Sequence, residues 1–459
     1  MKKAAVILLL CCSLLVRGQV CIQFDEPDRS RLPLISRTVS IDRVEGTHIT
    51  AYANPEELAA LAALGYNYTT TVPAEPPKSL LMATSVDQMR EWNRYPTYET
   101  YLAMMQQLAD SFPTLCRIDT IGRSVQNRLI LCAVLNNFES LDDTYKPQFF
   151  YSSTMHGDEV CGYYLMLRLI DTLLHGYGTN AEYTRLLNTT QIYINPLSNP
   201  DGTYIGGNDN IGDAQRYNAN NIDLNRNYPD PFGTAPLYPE QVENTAMINY
   251  LGAHNFRLSA NLHSGAEVLN YPWDSFTSQE RIHPQARWWQ EVCQRFIDTS
   301  RAVDNTHFRS ENRKGYICGG DWYVISNGRQ DYVNVVHNCL EMTMEVAVRK
   351  LLSSEQLDAY WQFLQRPLVN YIKEIHHLPS GEAISAVTAS ASFTAYPNPT
   401  GGRVCLENVA PDVAIQVCDG FGRTVLSTTA ADGAVDLSSL PQGFYLLRVE
   451  GKILKIVRR

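Results

Sequence analysis

The sequence predicts an α/β protein whose main domain is a mixed, mostly parallel sheet flanked by helices. From about residue 95 to residue 377, apolar runs typical of buried strands alternate with helical patterns. Polar motifs directly follow several of these runs, as they do where ligands bind at the carboxyl ends of strands. Beyond His377 the pattern changes to short strands and turns, which predicts a separate all-β module.

The composition is that of a globular protein and disfavours two kinds of environment. Charged residues make up 19% and apolar residues 44% of the 459 residues, and the formal charge is -10. Because phosphate binding needs a basic surface, we expect no nucleic-acid partner. No apolar run after the first 20 residues is long enough to cross a bilayer, so we expect no transmembrane segment. We also expect a monomer.

The amino terminus has the pattern of a secretory signal peptide, which we assign to residues 1–18. Lys2 and Lys3 precede an apolar run from Ala4 to Val16, and Gly18 offers a small residue for cleavage. Removal of this segment leaves Cys21 and eight later cysteines of the 11 in the chain. Export permits disulfides, and the odd number means that at least one cysteine is free or paired outside the chain.

We expect residues 19–94 to form a small α+β unit, which is either a pro-segment or a packed N-terminal extension. Its first residues, to about 34, are polar and extended. Strand patterns follow at 38–41, 48–51 and 66–72, and a short helix from 55 to 64 is closed by Gly65. Prolines then mark a linker.

The main domain covers residues 95–377. Thr97 can cap its first helix, and a long helix follows residue 160. Its predicted strands lie at 118–121, 129–135, 147–151, 191–196, 257–262 and 340–348, and a helix at 357–375 closes it.

The stretch Met155-His156-Gly157-Asp158-Glu159 lies between a buried strand and a helix. A His and a Glu three residues apart can point an imidazole and a carboxylate at one metal ion, and zinc takes such ligands with one position left for water. By itself this pair is more often an ordinary surface contact, so the surrounding motifs decide its meaning.

Four further stretches place polar groups at strand ends, and each alone has an ordinary explanation. Asn199-Pro200-Asp201-Gly202 alone would be a good β-turn. The other three are residues 216–227, which contain Asp223-Leu224-Asn225-Arg226-Asn227; residues 261–265, which read Asn-Leu-His-Ser-Gly; and the series from Asp321 through Gln330-Asp331 to Glu341 and Glu345.

In this order the motifs resemble the zinc metallocarboxypeptidases, and they are most similar to the regulatory branch of carboxypeptidases N, E and D. The resemblance covers about residues 95–377. It implies a metallocarboxypeptidase-like fold and a secreted enzyme that hydrolyses the C-terminal residue of peptides. It also implies one zinc ion per chain, held by His156, Glu159, His263 and a water molecule. Asp223 would orient a ligand histidine.

The resemblance implies a role for each remaining polar residue of the site. Arg216, Asn225 and Arg226 would hold the substrate carboxylate and polarise the scissile carbonyl. Tyr323 would close over the terminal residue. Glu345 would be the general base, chosen by its spacing from Tyr323, and Glu341 is the alternative.

Two residues predict the preferred C-terminal side chain. The resemblance implies that Asp274 faces a basic side chain and that Gln330 forms the pocket floor, so we expect substrates that end in Arg or Lys. Two alternatives remain open: a carboxypeptidase that acts on peptidoglycan peptides, and a binding module that kept the fold without the chemistry.

We interpret residues 378–391, rich in Ser, Ala, Gly and Pro, as a linker. Residues 392–459 resemble a type IX secretion sorting domain of Bacteroidetes. The segments that carry this resemblance are Tyr396-Pro397-Asn398-Pro399-Thr400, the run from Asp436 to Gly443, and the C-terminal strand. The resemblance implies the export machinery as a partner and a secreted or cell-surface enzyme. A carbohydrate-binding or adhesive β-sandwich is the alternative.

Overall fold

The chain divides between residues 74 and 75 into two units. The computed structural model describes residues 19–71, 77, 79–139, 146–379, 394–407, 409–410, 413–419, 423–430, 433–449 and 452–459. The predicted signal peptide and most of the predicted linker lie outside these residues. The domain boundaries drawn from the sequence therefore stay predictions.

The N-terminal unit is a four-stranded antiparallel sheet in the order β2-β3-β1-β4. Its elements are β1 (Val20–Asp25), α1 (Leu32–Ser36), β2 (Ser40–Glu45), β3 (His48–Ala53), α2 (Pro55–Ala63) and β4 (Thr69–Thr71), with a 3-10 turn at Arg29–Arg31. Asn54 caps α2 in a capping box with Glu57. The sequence indicated only extended chain where β1 lies, because the pairing of β1 with β3 and β4 has no local signal.

The second unit begins with the main domain. Its elements are β5 (Met82–Ala83), α3 (Val86–Met89), β6 (Tyr95–Pro96), α4 (Tyr98–Ser111), β7 (Cys116–Arg123), β8 (Leu129–Leu135), β9 (Gln148–Ser153), α5 (Cys161–Gly176), α6 (Ala181–Thr189), β10 (Gln191–Asn195), α7 (Pro200–Thr203), α8 (Val242–Ala253), β11 (Phe256–His263), β12 (Ala266–Tyr271), α9 (Ala286–Arg301), β13 (Tyr316–Cys318), α10 (Gly319–Trp322), α11 (Arg329–Val336), β14 (Leu340–Ala347) and α12 (Leu357–Lys373). Short 3-10 turns lie at Leu224–Arg226, Ser354–Gln356 and Glu374–His376.

The main sheet has eight strands in the order β13-β12-β14-β11-β9-β10-β8-β7. The central strands β14, β11, β9 and β10 run parallel to one another. Antiparallel pairing joins β8 to β10, β7 to β8 and β12 to β14. The predicted mixed sheet is confirmed, and its parallel centre brings four strand ends to one edge.

Helices cover both faces of this sheet, and the central strands therefore read as unbroken apolar runs. Helix α5 packs across β8, β9, β10, β11 and β14 on one face. Helices α8 and α11 contact β7 and β14 and belong to the cluster on the other face. Phe149, Phe150 and Tyr151 are all fully buried because consecutive side chains enter opposite covered faces.

Several elements have no counterpart among the sequence predictions, and α8 shows why. Its buried residues, such as Met247, Ile248 and Leu251, do not form one narrow stripe. The helix is in contact with β7 on one side and with the C-terminal domain on another. A helix covered from two directions lacks the amphipathic pattern that sequence analysis detects. The strand β12 and the helices α9 and α11 are the other main additions.

The C-terminal domain is a sandwich of two small antiparallel sheets, in the orders β15-β16-β19 and β18-β17-β20-β21. Its strands are β15 (Thr394–Tyr396), β16 (Arg403–Glu407), β17 (Ala414–Cys418), β18 (Thr424–Thr429), β19 (Ala434–Asp436), β20 (Gly443–Val449) and β21 (Lys452–Arg458). A core that includes Val404, Ile415 and Leu447 lies between the sheets. The predicted all-β module is confirmed.

The bonding state of the cysteines and the length of the helices relate to the predicted export of the protein. Within the part of the chain that the structure describes, the nine cysteines from Cys21 to Cys418 form no disulfide bond with one another. None of the helices described is both long and apolar enough to cross a membrane.

One ion pair is buried between α11 and β14. The guanidinium of Arg329 donates from Nε and Nη2 to the two carboxylate oxygens of Glu341, at 3.0 and 3.1 Å. Ser259 and Asn261 donate to the same carboxylate. Both charged side chains are almost completely excluded from solvent. The pair fixes α11 on the sheet at a depth where either charge alone would be costly.

Replacing Arg329 by Met should therefore lower the free energy of unfolding by about 3–5 kcal/mol, because the carboxylate of Glu341 would stay buried without its cation. Urea unfolding followed by circular dichroism measures the change. The double variant R329M/E341L removes both charges and should recover a large part of the loss. Equal stability of the single and double variants would contradict this interpretation.

Candidate active site

The three predicted zinc ligands converge at the edge where the parallel strands end. His156 and Glu159 lie in the turn between β9 and α5, and His263 is the last residue of β11. Because β9 and β11 are parallel neighbours, their carboxyl ends meet. The donor atoms of the three residues all lie within 4.8 Å of one another, and all three side chains are buried.

The chemistry of this donor set fits a zinc ion. Nδ1 of His156 and Nδ1 of His263 are 3.0 Å apart. The carboxylate of Glu159 is 2.9 Å from the first of these atoms and 2.7 Å from the second. Two imidazole nitrogens and a carboxylate around one point are the ligands of a catalytic zinc with an open fourth position.

Asp223 sets the orientation of His156. Its Oδ1 lies 3.0 Å from Nε2 of His156, so the proton on Nε2 can be donated to the carboxylate and the lone pair of Nδ1 faces the cluster. Burial opposes ionisation of Asp223, but His156, Arg216 and Arg226 hold its pKa well below its usual range. Burial likewise opposes ionisation of Glu159, and the two histidines hold its pKa well below its usual range. Both carboxylates are therefore charged and favour a cation between them.

Arg216 lies at the same centre. Its Nη1 donates to Oε1 of Glu159 at 3.0 Å and its Nε to Oδ2 of Asp223 at 3.3 Å. The guanidinium is buried, so these two carboxylates compensate its charge.

The turn that carries His156 rests on the motif at 199–202, which forms the short helix α7 and not an isolated turn. Asn199 donates to the carbonyl of Met155 at 3.2 Å, and Thr203 donates to the carbonyl of Gly157 at 2.8 Å. A Cβ added at Gly157 would lie 2.4 Å from the backbone of Gly202. Only a glycine allows this approach, so the two motifs hold each other in position.

The segment after Asp223 presents Asn225 and Arg226. The carboxylate of Asp223 accepts from the backbone of Asn225 at 2.8 Å and caps the 3-10 turn. Nη1 of Arg226 donates to the carbonyl of Asn225 at 3.0 Å. Nε and Nη2 of Arg226 are buried, and within the described residues neither has a hydrogen-bond partner. Two parallel N–H groups of this kind match the two oxygens of a carboxylate.

Asp274 and Gln330, which are far apart in the sequence, are in direct contact. Nε2 of Gln330 donates to Oδ1 of Asp274 at 2.7 Å, and Oε1 of Gln330 accepts from the backbone of Thr343. Burial and the neighbouring charge of Asp331 raise the pKa of Asp274 well above its usual range, and Arg226 opposes this shift. A cation beside Asp274 would therefore stabilise the ionised form of its carboxyl group.

Glu345 lies level with a metal ligand, whereas Glu341 is engaged elsewhere. Strands β11 and β14 are parallel, and their register pairs His263 with Glu345. Glu341 forms the buried pair with Arg329 and accepts two further hydrogen bonds. This supports Glu345 over Glu341 as the base, although the catalytic role itself stays a prediction.

Tyr323 follows α10 directly, and its ring packs on Trp322 with centroids 5.1 Å apart. The helix begins at Gly319, where a Cβ would lie 1.9 Å from Oδ1 of Asp274. Tyr323 is thus tethered to the segment that touches Asp274. Its closing movement stays a prediction.

Lys350 is a site residue that sequence reasoning missed. Its Nζ lies 3.1 Å from Oδ2 of Asp158 and 3.7 Å from Oε1 of Glu159. Its carbonyl accepts from the backbone of Val160 and the hydroxyl of Ser264. The residue therefore ties together the two chain segments that carry the ligands. A single lysine beyond a strand has no sequence signal that would distinguish it from a surface residue.

A buried His, Glu and His set at the carboxyl ends of parallel strands in a mixed α/β sheet, beside buried donors suited to a carboxylate, is an arrangement typical of zinc-dependent enzymes. Residues 101–365 match the zinc carboxypeptidase family, and the chain belongs to that family. Residues 394–459 match the secretion system C-terminal sorting domain, which confirms the second resemblance.

The similar curated proteins include regulatory carboxypeptidases. Carboxypeptidase D of Rattus norvegicus is 31% identical over 307 residues, which cover 64% of this chain and 22% of that protein. Carboxypeptidase M of Mus musculus is 32% identical over 62% of this chain and 66% of that protein. The catalytic chain of carboxypeptidase N of Rattus norvegicus is 28% identical over 73% and 79%. The chain thus spans about a fifth of the carboxypeptidase D that it matches.

Solved structures show the same fold. Carboxypeptidase A from Helicoverpa armigera has a TM-score of 0.59 at 17% identity and covers 79% of this chain and 99% of its own. Thrombin activatable fibrinolysis inhibitor has a TM-score of 0.57 at 15% identity and covers 79% and 100%. At these identities the likeness concerns the fold alone.

The metal site yields a direct test. Purified protein should contain one zinc ion per chain by elemental analysis, and His263→Ala should lose it, because only one imidazole and one carboxylate would remain. His175→Ala is the matched control, since this side chain is 64% exposed. Stoichiometric zinc in the His263→Ala protein would contradict the assigned ligands.

Proposed function

We propose that the protein is a secreted or cell-surface zinc carboxypeptidase that removes C-terminal Arg or Lys from peptides and proteins. The proposal rests above all on the opposite charges of Arg226 and Asp274. The guanidinium of Arg226, whose buried Nε and Nη2 atoms have no hydrogen-bond partner among the described residues, lies close enough to the buried carboxyl group of Asp274 to act on its pKa. A C-terminal Arg or Lys carries a carboxylate, which complements Arg226, and a cationic side chain, which complements Asp274.

The binding step follows from the same groups. Arg226 holds the terminal carboxylate through its Nε and Nη2 atoms, and Asn225 supports the turn from which Arg226 projects. Asp274 receives the basic side chain, and Gln330 keeps its carboxyl group oriented through their hydrogen bond. Tyr323 closes over the terminal residue once it is bound.

The chemical step uses residues at the strand ends. His156, Glu159 and His263 would hold the zinc ion, which would supply Lewis acidity and a water molecule of lowered pKa. The carboxylate of Glu345 takes the proton of the attacking water and transfers it to the leaving amine. The guanidinium of Arg216 lies beside Glu159, which suits it to stabilise the charge on the scissile carbonyl oxygen.

The alternatives receive less support. A pocket with an acidic residue disfavours the acidic ends of peptidoglycan peptides, since like charges in a desolvated site repel. A binding module would not need the buried metal ligands together with the register of Glu345. The sorting domain supports export through the corresponding secretion machinery, and with it the secreted or cell-surface location.

Glu345→Gln tests the base. The variant should retain its zinc and its fold but lose about 10²- to 10⁴-fold in kcat, because only the proton acceptor is removed. Steady-state kinetics and elemental analysis measure the two properties on the same sample. Glu355→Gln, at an exposed position, is the control. Near-normal turnover would remove Glu345 from the role of base.

Asp274→Asn tests specificity with little change of shape. On two peptides that differ only in a C-terminal Arg or Leu, the ratio of kcat/KM values should shift toward Leu by roughly a hundredfold or more, because the bound cation loses its partner. In the wild type the preference for Arg should weaken as the pH falls through the raised pKa of Asp274, since a protonated carboxyl group does not attract a cation. An unchanged ratio in the variant would refute the assignment.

A further inference from the structure

Strand β20 of the sorting domain is apolar on both of its faces. Tyr445 and Leu447 point into the core of the sandwich. Phe444 and Leu446, which alternate with them, belong to a cluster that also contains residues of the catalytic domain. A sheet with one face in water normally alternates apolar and polar residues. The run Phe-Tyr-Leu-Leu therefore needs a cover for its second face.

Helix α8 of the catalytic domain provides that cover. The residues Ile248 and Leu251 of α8 share the cluster with Phe444. At Gly252 an added Cβ would lie 2.0 Å from Cδ1 of Phe444. A glycine inside a helix costs about 1 kcal/mol relative to alanine. Here its lack of a side chain makes room for the aromatic ring.

Polar contacts surround this apolar centre. Arg423 of the sorting domain pairs with Glu240 of the catalytic domain at 2.9 Å. On strand β21, Nζ of Lys455 lies 3.2 Å from Nδ1 of His337, at the end of α11. The rings of His337 and Phe444 are 5.5 Å apart between centroids. An apolar centre with a polar rim is the anatomy of a protein–protein interface.

The contact of Lys455 with His337 makes the interface sensitive to pH. Burial, Lys455 and Arg329 lower the pKa of His337 well below its ordinary value, and Tyr332 and Phe444 enclose its ring. Separation from the sorting domain would remove Phe444 and Lys455 from around His337, so its pKa would rise toward its ordinary value and the ring would take up a proton more readily. Because the pKa is lower in the docked state, the association weakens as the pH falls through the pKa of the separated state.

We propose that this face of the catalytic domain, formed by Gly252, Glu240, His337 and the apolar residues of α8, is a docking site for the sorting domain of the same chain. The two domains stay associated without the covalent connection. Cleavage of the connecting residues 380–391 would then leave the enzyme attached to whatever holds the sorting domain, and acidification would release it.

The test uses the full-length chain with a recognition sequence for a specific protease inserted in residues 380–391. After cleavage at pH 8, the two parts should co-elute in size-exclusion chromatography. Titration of the separated parts should give a Kd at least tenfold higher at pH 5.5 than at pH 8. Immediate separation at pH 8 would overturn the proposal, and equal affinity at both pH values would overturn its pH dependence.

Variants on both sides of the interface locate the contact. Phe444→Ala and Gly252→Leu should each raise the Kd by at least about thirtyfold, as at a central interface residue. Gly252→Leu leaves the sorting domain unaltered, so its result does not depend on how that domain tolerates substitution. Ile453→Ala, at a position 42% exposed, and Gly401→Ala, with no atom within 4 Å, are the controls.

The readout is binding between the two parts, so it does not depend on peptidase activity or on the proposed specificity. Both interface variants should keep wild-type peptidase activity, since neither residue belongs to the site. Binding as tight as that of the controls in both variants would overturn the assigned surface.

Discussion

The parallel pairing of β9, β11 and β14 is the constraint on which the site depends. Because these strands run in one direction and are hydrogen-bonded in a fixed register, His156, His263 and Glu345 reach the same edge of the sheet. A shift of one residue would turn every side chain of a strand to the opposite face. His263 and Glu345 thus lie on rigid strands, whereas His156 and Glu159 lie in the turn that follows β9 and Tyr323 follows α10.

Buried ion pairs are a second feature of the molecule, and they fix the positions of the elements that they join. Arg216 balances Glu159 and Asp223 at the metal centre, and Arg329 balances Glu341 between α11 and the sheet. Compensated pairs of this kind add little net stability but are costly to break, so they hold one arrangement of the elements. Arg226 differs from these pairs, because its buried Nε and Nη2 atoms have no hydrogen-bond partner among the described residues, and this points to a ligand.

The sorting domain is joined to the catalytic domain by more than sequence continuity. Gln330 and Asp331, near the start of α11, form hydrogen bonds with Asp274. His337, directly after the end of α11, packs against Phe444 of the sorting domain. One short helix thus lies between the residues proposed to set specificity and the sorting domain. A partner that recognises the sorting domain in this state must use the surfaces that β20 and its neighbours leave open.

The sequence by itself determined the family, the order of the two matched domains, most strands of the main sheet and most residues of the candidate site. Short motifs at strand ends carry that information locally, as at His156-Gly157-Asp158-Glu159, and periodicity carries it for α4, α5 and α12. Only the tertiary structure decided the contacts between residues far apart in the chain. The hydrogen bond of Gln330 to Asp274, the engagement of Glu341 by Arg329, and the place of Lys350 beside Glu159 all belong to this group. So do the central position of β1 and the apolar cover of β20, since pairing between distant segments is set by the packing of the whole chain and leaves no periodic pattern in either segment alone.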